Sequence, residues 1–292
     1  METGALADMD LKRLAARAGD LPPLPALAVQ ALQMTKDPKV TARDLQRVIT
    51  RDQALTARIL RTVNSAMYSL RREVSTVSHA VAILGMDAIR SIIMSASVQP
   101  VLLLGTAKGS DLGSKLLWEH SWGAALASRV LAQRTRYPDL EEAFLAGLMH
   151  DIGKPILMKN FPDRYAQVMA DVYGGRAGFH AIEIEAFGFS HAHVGALVAE
   201  RWHFPSQLAE AIGFHHDPLV AAAHPQLSCI TNLANSMMIQ LEVGFEKKKD
   251  LDLAAEPSCG FLQIGPSALQ EILAEVRESL RTPANLPAGQ AS

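Results

Sequence analysis

An all-α fold, arranged as a two-lobed helical bundle, is predicted by three features of this 292-residue chain. Apolar residues recur at helical spacings of three and four along most of its length, and no convincing strand-like alternation appears. Thr and Asp residues stand just before several of these runs, where a side-chain oxygen can accept from the free N–H groups of a first turn. One segment rich in Gly, Ser and charge, "GTAKGSDLGSK" at 105–115, interrupts the pattern and marks the best lobe boundary.

The elements follow in order. Pro25 suits the first turn of a helix running to about Lys36. Thr41 can cap "TARDLQRVIT", which places Leu45, Val48 and Ile49 on one face. Asp52 can cap "DQALTARILRTVNSAM", where Leu55, Ile59 and Val63 line up at spacings of four. Asn64 and Ser65 fall at the end of that helix, where their side chains can bond backbone groups and hold the turn into "YSLRREV". "STVSHAVAILG" carries Val77, Ala80, Val81 and Leu84 on one stripe and is stopped by Gly85. Asp87 starts the next helix, with Ile89, Ile92 and Ile93 inward. Beyond the break come helices at 116–134, 140–150, 163–172, 191–203, 207–216 and 226–241, with Asp139 read as a cap on the helix before it. A last helix carries Leu269, Ile272, Leu273, Val276 and Leu280. The expected organisation is an extension at 1–20, a first lobe at 21–104, a linker at 105–115, a second lobe at 116–241, a loop and helix at 242–280, and a disordered tail at 281–292.

Composition narrows the function classes. Hydrophobic residues make up 49% and charged residues 20%, as in ordinary globular chains, and the net charge of −2 does not imply a basic face for nucleic acid. The run Lys247–Lys249 lies between Glu246 and Asp250 and reads as a solvated loop. Two cysteines thirty residues apart, Cys229 and Cys259, form no metal or disulfide pattern, so a reducing, cytoplasmic setting is expected. The N-terminus has no apolar signal region, and the longest uninterrupted apolar runs fall short of a membrane span. Neither nucleic acid nor membrane is expected as a partner.

Chemistry is concentrated in the histidines. His120, His150, His191, His193, His203 and the doublet His215–His216 lie in the expected second lobe on several helices, with Asp151 beside His150. Adjacent residues on a helix point about 100° apart, so a doublet chelates only when an ion sits between helices. Imidazole-rich sites of this type suit transition metals. A lone histidine on an apolar face is ordinarily a core residue bonded to a carbonyl, and His79, His180, His203 and His224 fall in that class or on the surface. Within "MHDIGK" the buried carboxylate of Asp151 needs a charged partner, which Lys154 can supply without any metal. Trp118 and Trp202 read as core residues, and Arg71 and Arg72 as an exposed pair.

"MHDIGK" resembles the signature of the HD superfamily of metal-dependent phosphohydrolases, with His120 in "WEHSW" matching its first histidine. "HAHVGALVAERWHFP" and "GFHHDP" are similar to later motifs of its HD-GYP branch. The N-terminal half, with its Leu-Pro opening, Asp52 and Leu55, "VNSA" and "AVAILG", resembles the HDOD family of bacterial signalling output domains, over about Leu21 to Met238. No receiver, GGDEF or EAL-like segment accompanies it, so a stand-alone HDOD protein is expected. The resemblance implies an HD-like second lobe and metal ligands at His120, His150, Asp151, His191, His215 and His216, with the family spacing favouring His191 over His193. It implies a regulatory module working through a signalling protein partner or a bound ligand. The alternative is a phosphohydrolase acting on a nucleotide or cyclic dinucleotide, with Lys154 as its catalytic cation.

Three departures weigh against catalysis. The late helix carries Asn232 and Asn235 where the pattern has an acid, Leu116 stands where the HD-GYP branch has a carboxylate, and Asp217-Pro218-Leu219 replaces its GYP. Five neutral imidazoles and one carboxylate would leave two divalent ions about three charges in excess. The expected cofactor is therefore none, or one ion of Fe, Mn or Zn. Lys154, Arg176, Asn232 and Asn235 are the candidates for contacting a ligand such as a nucleotide second messenger.

Overall fold

The computed structural model describes residues 22–35, 37–68, 70–103, 111–221 and 223–281, so the expected N-terminal extension and the tail from residue 282 lie outside the described part. Among the described residues the regular structure is entirely helical. The first lobe holds α1 (Ala26–Met34), α2 (Ala42–Ile49) and α3 (Gln53–Val63), and α4 (Val77–Leu102) follows. Thr41 caps α2 through the Asp44 N–H and Asp52 caps α3 through the Leu55 N–H, as their positions predict. Asn64 closes α3 with a two-way clasp. Its Nδ2 donates to the carbonyls of Leu60 (2.9 Å) and Val74 (2.8 Å), while its Oδ1 accepts from the Val74 N–H (2.7 Å).

Gly85 is a bend between helices rather than a stop. With φ +83° and ψ 171° it leaves helical geometry, and helix resumes directly after it. Side chains are strained at such a φ, so glycine makes the bend possible. Joining two segments across this kink makes α4 long and apolar enough to cross a membrane by length and composition, which the separate apolar runs are not. More than half of that window is buried within the fold. Its first half packs in a small core with Leu45, Ile49, Leu55 and Ile59, while Met94, Val98, Val101 and Leu102 enter a second, larger core. The two cores therefore meet along α4.

The larger core is built from α5 (Asp111–Arg134), α6 (Leu140–Met149), α7 (Gly153–Asn160), α8 (Pro162–Tyr173), α9 (Phe179–Phe187), α10 (His191–Arg201), α11 (Ser206–Gly213) and α12 (Pro225–Gln240). α5 begins at Asp111, within the stretch expected as linker. α7 and α9 are not legible as helices in the sequence, because they are short; α7 opens on Gly153 and ends before Phe161-Pro162, and α9 is flanked by Gly178 and Gly188. Asp139 caps α6, the helix after it, by accepting from the Glu141 and Glu142 N–H groups. The short α13 (Pro257–Phe261) and the last helix, α14 (Pro266–Arg281), fold back onto this core through Cys259, Leu269, Ile272 and Val276, and Arg134 of α5 pairs with Glu271 and Glu275. Tyr68 of the first lobe donates to Glu141 (3.2 Å), which also pairs with Arg129, and this ties the two lobes together.

Candidate metal centre

Five imidazoles and a carboxylate converge at the centre of the larger core. α5 supplies His120; the turn after α6 supplies His150 and Asp151; His191 is the first residue of α10; the turn after α11 supplies His215 and His216. Gly153 allows this convergence. A Cβ there would collide with the backbone carbonyl of His191, so only glycine lets the turn carrying Asp151 approach α10. His120, His150, Asp151, His191 and His215 are buried, and His216 is partly buried.

The atoms form two triads astride one carboxylate. His120 and His150 bring their Nε2 atoms within 3.2 Å of each other and within 3.6 and 3.4 Å of Asp151 Oδ2. On the other side His191 Nε2 lies 3.3 Å from His215 Nε2, 3.0 Å from His216 Nε2 and 3.1 Å from Asp151 Oδ1. A tetrahedral ion with bonds of about 2.05 Å holds its ligands about 3.3 Å apart, so both spacings suit a metal. Asp151 Oδ1 makes no hydrogen bond of normal geometry despite its complete burial.

Proton positions sharpen the fit. Nδ1 of His120 faces the Val243 carbonyl (2.9 Å), that of His150 the Gly147 carbonyl (2.7 Å), and that of His215 the Ile212 carbonyl (2.7 Å). Each Nδ1 must therefore carry the proton and donate, which leaves each Nε2 with a bare lone pair aimed into the cluster. Around His191, where the Nε2 atoms of His215 and His216 lie at 3.3 and 3.0 Å, such lone pairs repel unless a proton or a cation lies among them. Protons fill that role only in part: burial first pushes His120, His215 and His216 down, and His150 to about 4, against the pull of Asp151, whereas His191 is raised and its Nε2 can carry a proton toward Asp151 Oδ1. A single transition-metal ion fits the donor set, with His191, His215, His216 and Asp151 Oδ1 as one complete set of ligands.

Lys154 is already inside. From the first turn of α7 its ammonium donates to Asp151 Oδ2 at 2.7 Å, and it also lies over the Phe179 ring at 4.5 Å. Although burial raises the Asp151 carboxyl, His150, Lys154 and His191 together hold it well below the usual carboxylate range. Lys154 thus occupies the carboxylate oxygen that faces His120 and His150.

The remaining sequence candidates divide. Asn235 Oδ1 stands 3.0 Å from His120 Nε2 and so borders the cluster. Asn232 is committed to structure, its amide donating to the His215 carbonyl (2.8 Å) and accepting from Ser258 Oγ (2.7 Å). Arg176 is on the surface, where Asp171 and Glu185 engage its guanidinium. His193 is exposed and bonds Ser190 at the start of α10, so His191 is the one that enters the cluster. His180, read as a core or surface residue, stacks on His216 with ring centroids 4.3 Å apart and so borders the site.

One buried carboxylate was not legible in the sequence. Glu183 of α9 is fully buried and accepts from His191 Nδ1 (2.5 Å), from the His191 backbone N–H (2.6 Å) and, through its other oxygen, from Tyr165 OH (2.7 Å). Burial raises its carboxyl, but His191 and Lys154 outweigh that and hold it low. Its partner His191 is pulled down by burial and raised by Glu183 to a net position above the ordinary range. The only sequence signal was a charged residue within the apolar run "FHAIEIEAF".

A family model described as the HDOD domain matches residues 21–218. An HDOD domain protein of unknown function from Geobacter sulfurreducens is 26% identical, with a TM-score of 0.74 over 94% of this chain and 99% of that one. A protein of Shewanella amazonensis SB2B, provisionally named a phosphohydrolase, is 25% identical, with a TM-score of 0.73 over 93% of this chain and 96% of its own. An uncharacterized protein of Treponema pallidum (strain Nichols) is 25% identical over 205 residues, which is 70% of this chain and 39% of that protein. The chain thus spans well under half the length of that curated relative.

Proposed function

Since this chain belongs to the HDOD family, we propose that it is a non-catalytic signalling module whose HD-type cluster binds one divalent transition-metal ion and whose helical surface acts on a protein partner. The observation that carries this reading is the charge inventory of the sealed cluster. Asp151 and Glu183 bring two buried carboxylates, and Lys154 brings one buried ammonium. With neutral imidazoles the net charge is close to −1. One dication leaves a residual of about +1, which the neighbouring carbonyls and Asn235 can solvate; two leave about +3 in a medium that screens poorly. Two-metal hydrolysis needs acidic ligands to hold both ions, and the late-helix position offers the Asn235 amide instead.

When bound, the ion would supply Lewis acidity and a fixed positive charge at Nε2 of His191, His215 and His216. The chain's own residues do the rest. Asp151 Oδ1 completes the donor set, and Lys154 neutralises Oδ2. Burial of His150, His191 and His215 keeps bulk water from the ligand atoms. Asp151 itself is almost fully buried, which favours a structural or regulatory ion over a hydrolytic one. The two triads astride Asp151 favour the second reading, a phosphohydrolase acting on a nucleotide or cyclic dinucleotide.

Elemental analysis of the purified protein, together with incubation with generic phosphodiesters plus Mn²⁺ or Fe²⁺, separates the two. One ion per chain and no turnover is the expected result. Two ions per chain with turnover abolished by His150→Ala would establish the hydrolase. Capture of a specific partner from the native cell, lost on truncation of the first lobe, tests the signalling role.

A further inference from the structure

We infer that Glu183 is the positioning residue of the centre: by accepting the Nδ1 proton of His191, it fixes the tautomer and ring orientation that aim His191 Nε2 at the ligand cluster. This deepens the single-ion reading and rests on it. Within the cluster, the three other imidazoles with a defined Nδ1 partner, His120, His150 and His215, lean on backbone carbonyls. His191 alone leans on a carboxylate, and it is also the imidazole whose Nε2 is closest to Asp151 Oδ1, at 3.1 Å. It is the hub of its own triad, with Nε2 3.3 Å from that of His215 and 3.0 Å from that of His216. A misdirected His191 would therefore disrupt every shared edge of its triad.

Glu183 is itself held in a way that excludes other roles. One oxygen takes both His191 donors, the ring N–H and the backbone N–H, so the side chain registers α10 and the imidazole together. The other oxygen takes Tyr165 OH from α8. This three-member chain, Tyr165 to Glu183 to His191, runs from α8 through α9 into the cluster. Among the described residues Glu183 forms no hydrogen bond or ion pair with the ligand triads except to His191, so it acts on the ion through that ring. A carboxylate behind a ligating histidine orients the ring and raises its basicity, and losing such a partner typically weakens metal binding by about 10–100-fold.

The test uses the full chain carrying Glu183→Gln, with Zn²⁺ as the probe. In metal-free protein labelled with ¹⁵N histidine, at a pH high enough to leave His191 neutral, two-bond ¹⁵N–¹H spectra should show wild-type His191 protonated at Nδ1, and the variant shifted toward Nε2 protonation. Competition against a chromophoric chelator should show Zn²⁺ binding weakened by about 10–100-fold, while circular dichroism of the metal-free form stays unchanged. If Glu183→Gln does not fold, Tyr165→Phe keeps the ring and removes one bond to Glu183, and it should weaken Zn²⁺ by about fivefold, the equivalent of one net hydrogen bond. A folded variant with wild-type Zn²⁺ affinity, or a wild-type His191 protonated at Nε2, overturns the role of Glu183. A wild-type chain that binds no Zn²⁺ yet shows the Nδ1 tautomer, lost in the variant, overturns the single-ion reading alone and leaves the positioning role standing.

Discussion

Replacing Lys154 with methionine separates two effects that a mutation in a binding site usually mixes. The Lys154 ammonium sits 2.7 Å from Asp151 Oδ2, and the two side chains are 8% and 1% exposed. Methionine has nearly the same length and packs against Phe179 without a charge. In the metal-free protein the change strands a buried carboxylate, and removing one partner of a buried ion pair costs about 3–5 kcal/mol. In a chain of this size 1 kcal/mol moves the melting temperature by about 2–4 °C, so Lys154→Met should lower the metal-free midpoint by roughly 10 °C. In the metal-bound protein the sign reverses. The centre then carries one positive charge fewer before an ion arrives, so Zn²⁺ should bind more tightly than to wild type. Calorimetric or fluorescence melting of both proteins, with and without saturating Zn²⁺, measures both arms. The expected pattern is a lower metal-free midpoint and a larger Zn²⁺-induced rise in the variant. A variant as stable as wild type when metal-free, with an identical Zn²⁺ response, would refute the charge inventory on which the single-ion reading stands.

Three other outcomes can be checked on the same protein. Asn64→Ala removes the clasp to Val74 and leaves that buried residue's N–H and C=O without partners; it should cost about 2–4 kcal/mol by urea denaturation, with metal stoichiometry unchanged. Gly153→Ala forces the Asp151 turn away from the His191 carbonyl, which should cost at least 1–3 kcal/mol by the same assay and weaken Zn²⁺ binding as well. The Cys259 thiol is pushed up to about 11 by burial, with Glu256 and Asp252 adding to it, and it donates to the Leu253 carbonyl. The neutral thiol therefore persists through pH 9, and iodoacetamide labelling of Cys259 should stay slow there and accelerate only as the pH approaches 11; fast labelling at pH 8 would contradict the burial of this residue.

Much of the fold is written locally. Caps at Thr41 and Asp52, the periodic faces of α2 and α3, and the Asn64 turn depend on residues within about ten positions, and such short-range hydrogen bonding and side-chain spacing can be read directly from order along the chain. Short elements such as α7 and α9 were not legible, because eight or nine residues carry too few turns of pattern to stand out from a loop. Gly85 was legible as a break but not as a bend, since local sequence does not say whether helix resumes on its far side.

The candidate centre divides along the same line. Residue types and motif spacing sufficed to nominate His120, His150, Asp151, His191, His215 and His216, because metal ligation restricts which side chains can serve. Packing alone brought them from four segments to one point, chose His191 over His193, committed Asn232 to the His215 carbonyl and left Arg176 with its surface acids. Packing alone also placed Glu183 behind His191, eight residues away in sequence and on a different helix. Which chemical groups are present is a property of the chain; which of them touch, and which proton each imidazole keeps, is set by how helices distant in sequence share one core.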